Sequence, residues 1–456
     1  MYGSSGAEAG PDTPFEGGST GLSFLGAGAS HADILRGIAG NHTRWMSVRA
    51  RLAGGEAFRL EGATWIWRPE QGGGEAAIMF PRFTRAHAGE ELGRILDHCR
   101  WRPLRCVACW TLDASRSGDL GARLAARGFE WGWRPHWMAL DLRHIAHDAH
   151  VPSGLRVALV ADEAAWDAHD LSQLPYHVPG IARQPRAMAY LRSRRRRIWH
   201  FGAWFHERPI GQIWLHVTTG RFGVAGLYGT GVVPAARRRG VGAALTAAAC
   251  EHARALGCRY ATLNATHMGE PMYRRVGFTS LGYGQTWWMY REALGAPAPG
   301  EPDIAFAEAI GRGDLRALAA MAPTLRPGML DARLLCGATP VRLAVAARQP
   351  ASAEWLVRAG ATLDVLSAWD LGWKDRVAAL LEADPDLANR RDGAWRATPL
   401  HEAAMRGDVE LARVLLAAHP DLAVRDAEFD ATPLGWARHF ERDEMIAMLE
   451  RAGATQ

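Results

Sequence analysis

The sequence predicts an α/β protein of two mixed-sheet segments, followed by an all-α solenoid of stacked helix pairs. Three observations carry that fold class. Strand and helix patterns alternate through the first two thirds of the chain. A stretch dense in Pro and Gly, "LGAPAPGEP" (294–302), then ends the alternation. Beyond it a helix–Gly–helix unit recurs, several copies sharing a Thr-Pro signature.

Taken in order, residues 1–30 are rich in Gly, Ser and Ala and read as a flexible tail. Within residues 31–150, "AFRLEGATWIWRP" and "AAIMFPRF" read as strands and "GEELGRILDHC" as a helix. "CVACWTL", "LGARLAARGF" and "WRPHWMALDL" then give strand, helix and strand. Residues 151–293 show a similar order. "IWHFGAWF" (198–205), "IGQIWLHV" (210–217) and "FGVAGLYGTGVV" (222–233) read as three strands. An alanine-rich helix follows at about 241–256, closed by Gly257. "RYATLNAT" (259–266) is a strand, a short helix leads to Val276-Gly277-Phe278, and "QTWWMY" (285–290) is the last strand.

After the linker 294–302, residues 303–456 are periodic. Thr398-Pro399-Leu400 recurs 34 residues later as Thr432-Pro433-Leu434, and Thr339-Pro340-Val341 is an earlier copy. Proline suits the first turn of a helix, where its missing N–H is not needed. Ala403 and Ala404 allow close helix stacking, and Leu415 and Leu416 fill the layer between units. The period and the Thr-Pro-Leu-His signature resemble about five ankyrin repeats, with one finger missing between 348 and 372. Such an array is a scaffold without catalytic parts.

Composition bounds the function. The chain has 456 residues, 48% of them hydrophobic, and 19 tryptophans, so core material is plentiful. Residues 301–456 hold 18 basic and 24 acidic side chains, which leaves the preceding 300 residues 35 basic against 24 acidic. The basic part favours an anionic ligand. Lys374 is the only lysine, which excludes a P-loop. Six cysteines in so long a chain do not make a disulfide framework. No leader opens the chain and no apolar run is long enough to span a membrane, so the expectation is a cytoplasmic protein without a membrane partner.

The chemistry concentrates in "VVPAARRRGVGAAL" (232–245). A strand ends at Pro234, and Arg237-x-x-Gly240-x-Gly242 leads directly into a helix. Backbone N–H groups point outward at such a place, and the helix dipole is positive there. Glycines at 240 and 242 let an oxygen approach the main chain closely. A pyrophosphate is the natural guest. A nucleic-acid reading of Arg237, Arg238 and Arg239 needs a broader basic surface with stacking aromatics, so no nucleic-acid partner is expected. A Rossmann turn is excluded because Leu245 stands where the third glycine belongs.

This stretch resembles the acyl-CoA-binding motif of the GCN5-related N-acetyltransferase (GNAT) family, Gln/Arg-x-x-Gly-x-Gly/Ala between a strand and a helix. Downstream, "MGEPMYRRVGF" (268–278) is similar to the family's second motif, a tyrosine followed by a Gly-Phe pair. The match covers about 151–293. Residues 31–150 look like a degenerate copy without the glycine motif, where no cofactor is expected.

The resemblance implies an N-acetyltransferase that moves an acetyl group from acetyl-CoA to a primary amine, with CoA as product and no metal. It implies that the amides of Arg238, Arg239, Gly240, Val241, Gly242 and Ala243 hold the pyrophosphate, with Arg237 to Arg239 adding charge. Val232 and Val233 would bond the pantetheine arm as strand addition, one of their amides polarising the thioester carbonyl. Tyr273 would protonate the departing thiolate, and Asn264 would bond the arm or the acceptor. The base that accepts the amine proton is open: His216, Tyr228, His267 and Glu270 are the candidates. Tyr176 and His177, in "LPYHVPG", together with His267 and Glu270, are the candidates for binding the acceptor.

Other signals have plainer readings. Cys106-x-x-Cys109 lies in a strand, where residues three apart face opposite sides. His144, His147 and His150 fall beside Pro152 at a segment junction and read as a solvated linker. "RSRRRR" (192–197) reads as a solvated helix end. Two functions remain. One is an acetyltransferase whose ankyrin array recruits a protein acceptor or supports assembly around a small amine. The other is a non-catalytic protein that senses acyl-CoA and recruits a partner through the array.

Overall fold

The strand and helix patterns leave residues 31–55 unassigned, yet the folded chain opens there with a 22-residue helix, α1 (His31–Leu52). Ser30 caps it by accepting the Asp33 N–H at 3.2 Å. Ile34, Ile38, Asn41 and Trp45 lie on one buried face at helical spacing. The computed structural model describes residues 23–70, 73–83, 87–113, 118–146, 153–178, 180–392 and 395–455. Most of the N-terminal tail (1–22), His147, His150 and Pro152 lie outside the described residues.

Two compact units are formed, Met1–Ser115 with Gly132–Arg291, and Arg116–Trp131 with Glu292–Gln456. After α1, the chain makes β1 (Glu56–Leu60), β2 (Ala63–Arg68), β3 (Gly74–Met79), α2 (Ala88–Arg100) and β4 (Leu104–Thr111). Next come α3 (Gly118–Ala126) and β5 (Glu130–Trp131), which belong to the second unit. The first unit resumes with β6 (His136–Asp141), β7 (Leu155–Leu159), α4 (Glu163–Asp167), α5 (Pro185–Arg192), β8 (Ile198–Phe205) and β9 (Arg208–Val217). It ends with β10 (Ala225–Val232), α6 (Val241–Ala255), β11 (Tyr260–Ala265), α7 (Glu270–Val276), β12 (Thr279–Tyr283) and β13 (Gln285–Tyr290).

The two mixed sheets exchange strands. Within the first unit one sheet runs β1-β2-β3-β4-β13, and the other runs β12-β6-β11-β10-β9-β8-β7. β6, from the first sequence segment, lies antiparallel between β11 and β12, with Ala265 opposite His136 and Tyr260 opposite Asp141. β13, from the second segment, pairs antiparallel with β4, Gln285 opposite Thr111 and Tyr290 opposite Cys106. The alternation of side chains identifies "HWMALD" and "QTWWMY" as strands, but it carries nothing about which sheet receives them. A boundary near residue 150 therefore divides the sequence without dividing the sheets.

The second sheet opens at its middle. β10 and β11 are parallel and paired only through Ala225–Ala261 and Gly226–Thr262. Beyond those positions the strands part, and β10 carries a bulge against β9 between Tyr228 and Gly231. α6 covers this sheet. Leu245, Ala249, Cys250 and Ala253 pack on Ile213, Leu215, Leu227 and Leu263, all of them buried. Burying one such leucine contributes about 2 kcal/mol.

In the second unit, α8 (Arg291–Gly295) is followed by five helix pairs among the described residues: α9 (Glu301–Arg312) with α10 (Leu315–Met321), and α11 (Pro340–Ala346) with α12 (Pro350–Arg358). Then come α13 (Val365–Asp370) with α14 (Lys374–Ala383), α15 (Pro399–Arg406) with α16 (Val409–Leu416), and α17 (Pro433–His439) with α18 (Asp443–Arg451). Only residues 359–364 connect α12 to α13, the short step that the sequence spacing predicts, whereas 384–398 and 417–432 make the next two connections. Thr339, Thr398 and Thr432 cap their helices. The buried His401 ring joins two repeats: Nδ1 bonds Thr398 Oγ1 at 2.8 Å, and Nε2 bonds the Ala431 carbonyl at 3.0 Å.

α3 packs on α9 in this unit, with Ala125 and Ala126 in one core with Phe306 and Ile310. The sequence pattern places "LGARLAARGF" with the first sheet segment; the structure gives it to the helical array instead. Glu308 accepts Arg127 Nη1 at 2.8 Å and pairs with Arg312 at 3.4 Å and Arg123 at 3.7 Å.

Candidate functional site

β10 leaves the sheet at Val232, and Pro234–Ala236 forms a single tight turn. Arg238 and Gly240 then take left-handed conformations, with φ of 60° and 83°. The second favours glycine, because a side chain in that region crowds its own backbone. α6 begins at Val241, and its Ala244 N–H donates to the Gly240 carbonyl at 3.0 Å. The amides of Val241, Gly242 and Ala243 precede that bond and have no intrahelical acceptor. They stand at the positive end of a 15-residue helix. Arg238 and Arg239 are exposed beside them, and Arg237 is half-buried with Nε donating to the Val232 carbonyl at 3.3 Å.

Gly242 has a different reason from Gly240. A Cβ there would sit 3.4 Å from Met272 Cε and 3.8 Å from Val232 Cγ2, an ordinary contact. Neither its backbone angle nor its protein neighbours demand glycine. What a side chain would obstruct is the approach to the free amides.

The two valines are unequal. Val233 is committed on both sides: its N–H donates to Ile210 O at 3.0 Å and its carbonyl accepts from Ala236 N–H at 2.9 Å. In an antiparallel strand, adjacent residues point their amides to opposite edges. Val232 N–H therefore faces the parted side, toward β11. Asn264, opposite Trp137 on β11, is half-buried.

Tyr273, on α7, reaches this opening. It is 8% exposed, and its hydroxyl lies close to the Thr230 side chain on β10. Burial pushes the phenol up to about 12, so it remains protonated through the neutral range. Its ring meets Phe278 edge-on at 5.9 Å, and Gly277, with φ of 110°, turns the chain between them. Strict alternation along β10 would put Thr230 on the same face as Tyr228. The bulge and the left-handed Gly229 (φ 57°) reverse it, so Thr230 turns to α7 while Tyr228 turns to α1.

The segment Leu174–Val178 crosses β10 here. A Cβ on Gly231 would meet the Pro175 carbonyl at 2.3 Å, and one on Gly229 would lie 3.6 Å from Tyr176 Cβ. Gln212 Nε2 holds that Pro175 carbonyl at 3.0 Å. Tyr176 is 62% exposed in a left-handed conformation, φ 60°. His177 lies with Nε2 3.8 Å from Asp167 Oδ1, and burial lowers its pKa below the ordinary histidine value.

The remaining predicted residues lie elsewhere. His216 is 1% exposed, with Nδ1 3.3 Å from Asn41 Oδ1, and burial pushes it down to about 3. Tyr228 donates to the same Asn41 oxygen at 2.7 Å and stacks on Trp45 at 4.7 Å. His216 is buried beneath α1, and the partly buried Tyr228 turns toward Asn41 on that helix. Glu270 is bound by Arg274 at 2.8 Å and His136 at 3.0 Å; Arg274 chiefly holds its carboxyl below the usual range. His267 is exposed beyond the end of β11. The structure thus joins Val232, Gly242, Tyr273 and Tyr176 at one opening, and adds Thr230 and Met272, which no pattern singles out. Among the described residues, no group of three His, Cys, Asp or Glu side chains is arranged to hold a metal ion, and no helix is long and apolar enough to cross a membrane.

Comparison with known proteins bears on this opening. Residues 165–278 match the Acetyltransferase (GNAT) family, and residues 395–427 match the ankyrin repeat. Protein PhlB of Serratia liquefaciens is 32% identical over 159 residues, which are 35% of this chain and 57% of that protein. The chain thus spans a little over half the length of this relative. A GCN5-related N-acetyltransferase from Kribbella flavida is similar in structure at 19% identity and a TM-score of 0.39, over 56% of this chain and 95% of that one. A tandem GNAT protein from the clavulanic acid biosynthesis pathway is similar at 18% identity and a TM-score of 0.38, over 52% and 80%. Residues 165–278 thus carry the match to the acetyltransferase (GNAT) family, and residues 395–427, C-terminal to that domain, the match to the ankyrin repeat.

Proposed function

We propose that the protein transfers an acetyl group from acetyl-CoA to a primary amine by direct attack, and that its ankyrin array binds a partner or supports assembly. One observation supports the reading: the amides of Val241, Gly242 and Ala243, without intrahelical acceptors, lie beside Val232 and beside α7, the helix that carries the protonated, buried hydroxyl of Tyr273. Three free amides at a helix N-terminus, flanked by exposed arginines, fit a pyrophosphate in charge and in hydrogen bonding. Acetyl-CoA, when bound, supplies the activated acyl group. The amides of Arg238 to Ala243 hold its phosphates, and Arg237 to Arg239 add charge. Val232 N–H, on the parted edge of β10, bonds the arm or the carbonyl oxygen. Asn264 faces it from β11.

Tyr273 donates its proton to the leaving sulfur, and Thr230 fixes the direction of that hydroxyl. Tyr176 and His177 form the acceptor side. His216 is buried under α1, and the hydroxyl of Tyr228 is engaged by Asn41. Proton acceptance falls to His177, which burial keeps neutral and Asp167 steadies.

Calorimetric titration of the full chain with CoA tests the first half of the reading. Binding lost in Gly240→Glu is expected; absent binding, or binding indifferent to that change, refutes it. Mass spectrometry of an amine panel with acetyl-CoA tests the second half. CoA binding without turnover of any amine would favour an acyl-CoA sensor that acts through the array.

A further inference from the structure

The first sheet lacks a glycine turn, yet it encloses a cavity of its own. This space, about 50 Å3, lies between α1 and strands β2, β3, β4 and β13. Ile66, Ala77 and Ala108 give it apolar walls, and the small alanines leave the room. Arg49, Arg68, Glu75 and Trp110 supply its polar groups.

The charges do not balance. Arg68 binds Glu70 at 2.5 Å and Glu75 at 2.8 Å. Arg105 binds the same two carboxylates. Arg68 and Arg105 thus hold both glutamates in contact pairs, and Arg49 feels them only at longer range. Among the described residues it has no ion pair; its guanidinium lies 5.3 Å from the centre of the Trp45 ring. Burial, and secondarily the charge on Arg68, push it down to about 10, against a smaller opposing pull from Glu75 and Glu70. A second donor is also unused. Trp110 is 8% exposed, and its buried indole N–H has no acceptor among the described residues. Buried donors without partners are uncommon in folded proteins.

Size narrows the guest. One water needs about 10–15 Å3, and a cavity of about 150 Å3 accepts benzene. The present space lies between them. We infer that this cavity binds a short-chain monocarboxylate of two or three carbons, its carboxylate on Arg49 and the Trp110 N–H, and its alkyl end against Ile66, Ala77 and Ala108. Guanidinium–carboxylate pairing supplies the specificity, since both groups are planar and bidentate. The site is independent of acyl transfer and gives the first sheet a ligand without a glycine turn.

Saturation-transfer NMR on the full chain tests this, with acetate, propionate, benzoate and the neutral isostere acetamide as probes. Acetate and propionate are expected to bind in the millimolar range or tighter, and acetamide and benzoate are not. Arg49→Met is expected to weaken acetate binding at least about tenfold while the melting temperature stays near that of the parent. If that variant does not fold, the contrast of acetate with acetamide in the parent chain decides the matter. No acetate binding up to about 50 mM, equal binding of acetamide, or acetate binding unchanged in folded Arg49→Met would each overturn the inference.

Discussion

The hydroxyl of Tyr228 donates to Asn41 Oδ1 over 2.7 Å and so ties the central strand of the second sheet to α1. The other end of the same amide, Asn41 Nδ2, donates to the carbonyls of Val224 at 2.8 Å and His216 at 3.0 Å, and to Thr218 Oγ1 at 3.1 Å. A helix far away in sequence thereby holds β9 and β10 just below the point where β10 and β11 part. Gly226 leaves the space: a Cβ there would lie 2.1 Å from Asn41 Oδ1. Asn41→Leu leaves several buried groups unsatisfied and is expected to cost about 3 kcal/mol. Urea denaturation measures this; a loss under about 1 kcal/mol would contradict the role assigned to Asn41.

Gly240 and Gly242 are expected to separate stability from ligand binding. Gly240→Ala forces a side chain into φ 83° and is expected to cost about 1 kcal/mol of stability. Gly242→Val leaves an ordinary helical position but obstructs the free amides. Its melting temperature is expected to stay within a few degrees of the parent's, while CoA affinity falls at least about tenfold. Melting curves and calorimetry on the two variants distinguish these outcomes.

Tyr273→Phe keeps the ring against Phe278 and removes only the hydroxyl shared with Thr230. In the proposed role a proton donor acts on the leaving group, so kcat is expected to fall about 100-fold with KM for acetyl-CoA nearly unchanged. Burial holds the phenol near about 12, so the parent enzyme should show no tyrosine limb below about pH 11. An acid limb from His177 is expected below the ordinary histidine value, because burial lowers it, and this limb should disappear in His177→Gln.

Two buried histidines set an acid sensitivity. Burial depresses both His42 and His216 to about 3. The unfolded chain takes up those protons near pH 6.5, and the native protein does not until about pH 3. Their contribution is complete above about pH 6.5 and is lost as pH falls from there toward about 3. Between pH 7 and 5 each removes about 2 kcal/mol. His42 lies among the rings of Phe80, Trp110, Trp137 and Tyr228, and its Nδ1 has no partner among the described residues. His42→Phe is therefore expected to fold, and to reduce the stability lost between pH 7 and 5 by about 2 kcal/mol in denaturant titrations.

The glycine turn, the three strands before it and the Thr-Pro repeats were legible because local chemistry determines each of them. Gly240 must be left-handed, Thr398 must cap, and residues 198–232 alternate or run apolar as strands do. α1 was missed although its buried positions keep helical spacing, because Asn41 and His42 interrupt an apolar face and the partners of Asn41 are more than 170 residues away. The exchange of β6 and β13 was invisible for a related reason: edge choice depends on neighbours, not on the strand's own pattern. Thr230 and Tyr228 differ in facing only through the bulge at Gly229. Two-residue periodicity assigns both to one side, so the pattern alone does not show that Tyr228 turns to Asn41.

α3 gives the array a part of the chain that lies well before the linker, and this bears on how the array is tested. A Cβ on Gly311 would meet Ala122 Cβ at 2.5 Å and Ala122 Cα at 3.0 Å, so α3 and α9 touch where neither has bulk. Glu308 then serves Arg123 on α3, Arg127 just beyond it and Arg312 on α9. Cutting the chain at Gly300 would remove α9 and uncover Ala125 and Ala126, so the truncated protein is expected to aggregate rather than report on substrate recruitment. Gly311→Val is the cleaner probe. It overpacks the α3–α9 contact, with an expected cost of about 2 kcal/mol, and hydrogen exchange should accelerate in 118–126 and 301–312 but not in 399–451. Exchange unchanged in 118–126 would show that α3 does not depend on α9. If amine turnover survives in Gly311→Val while partner binding is lost, the array recruits; if turnover falls, it braces.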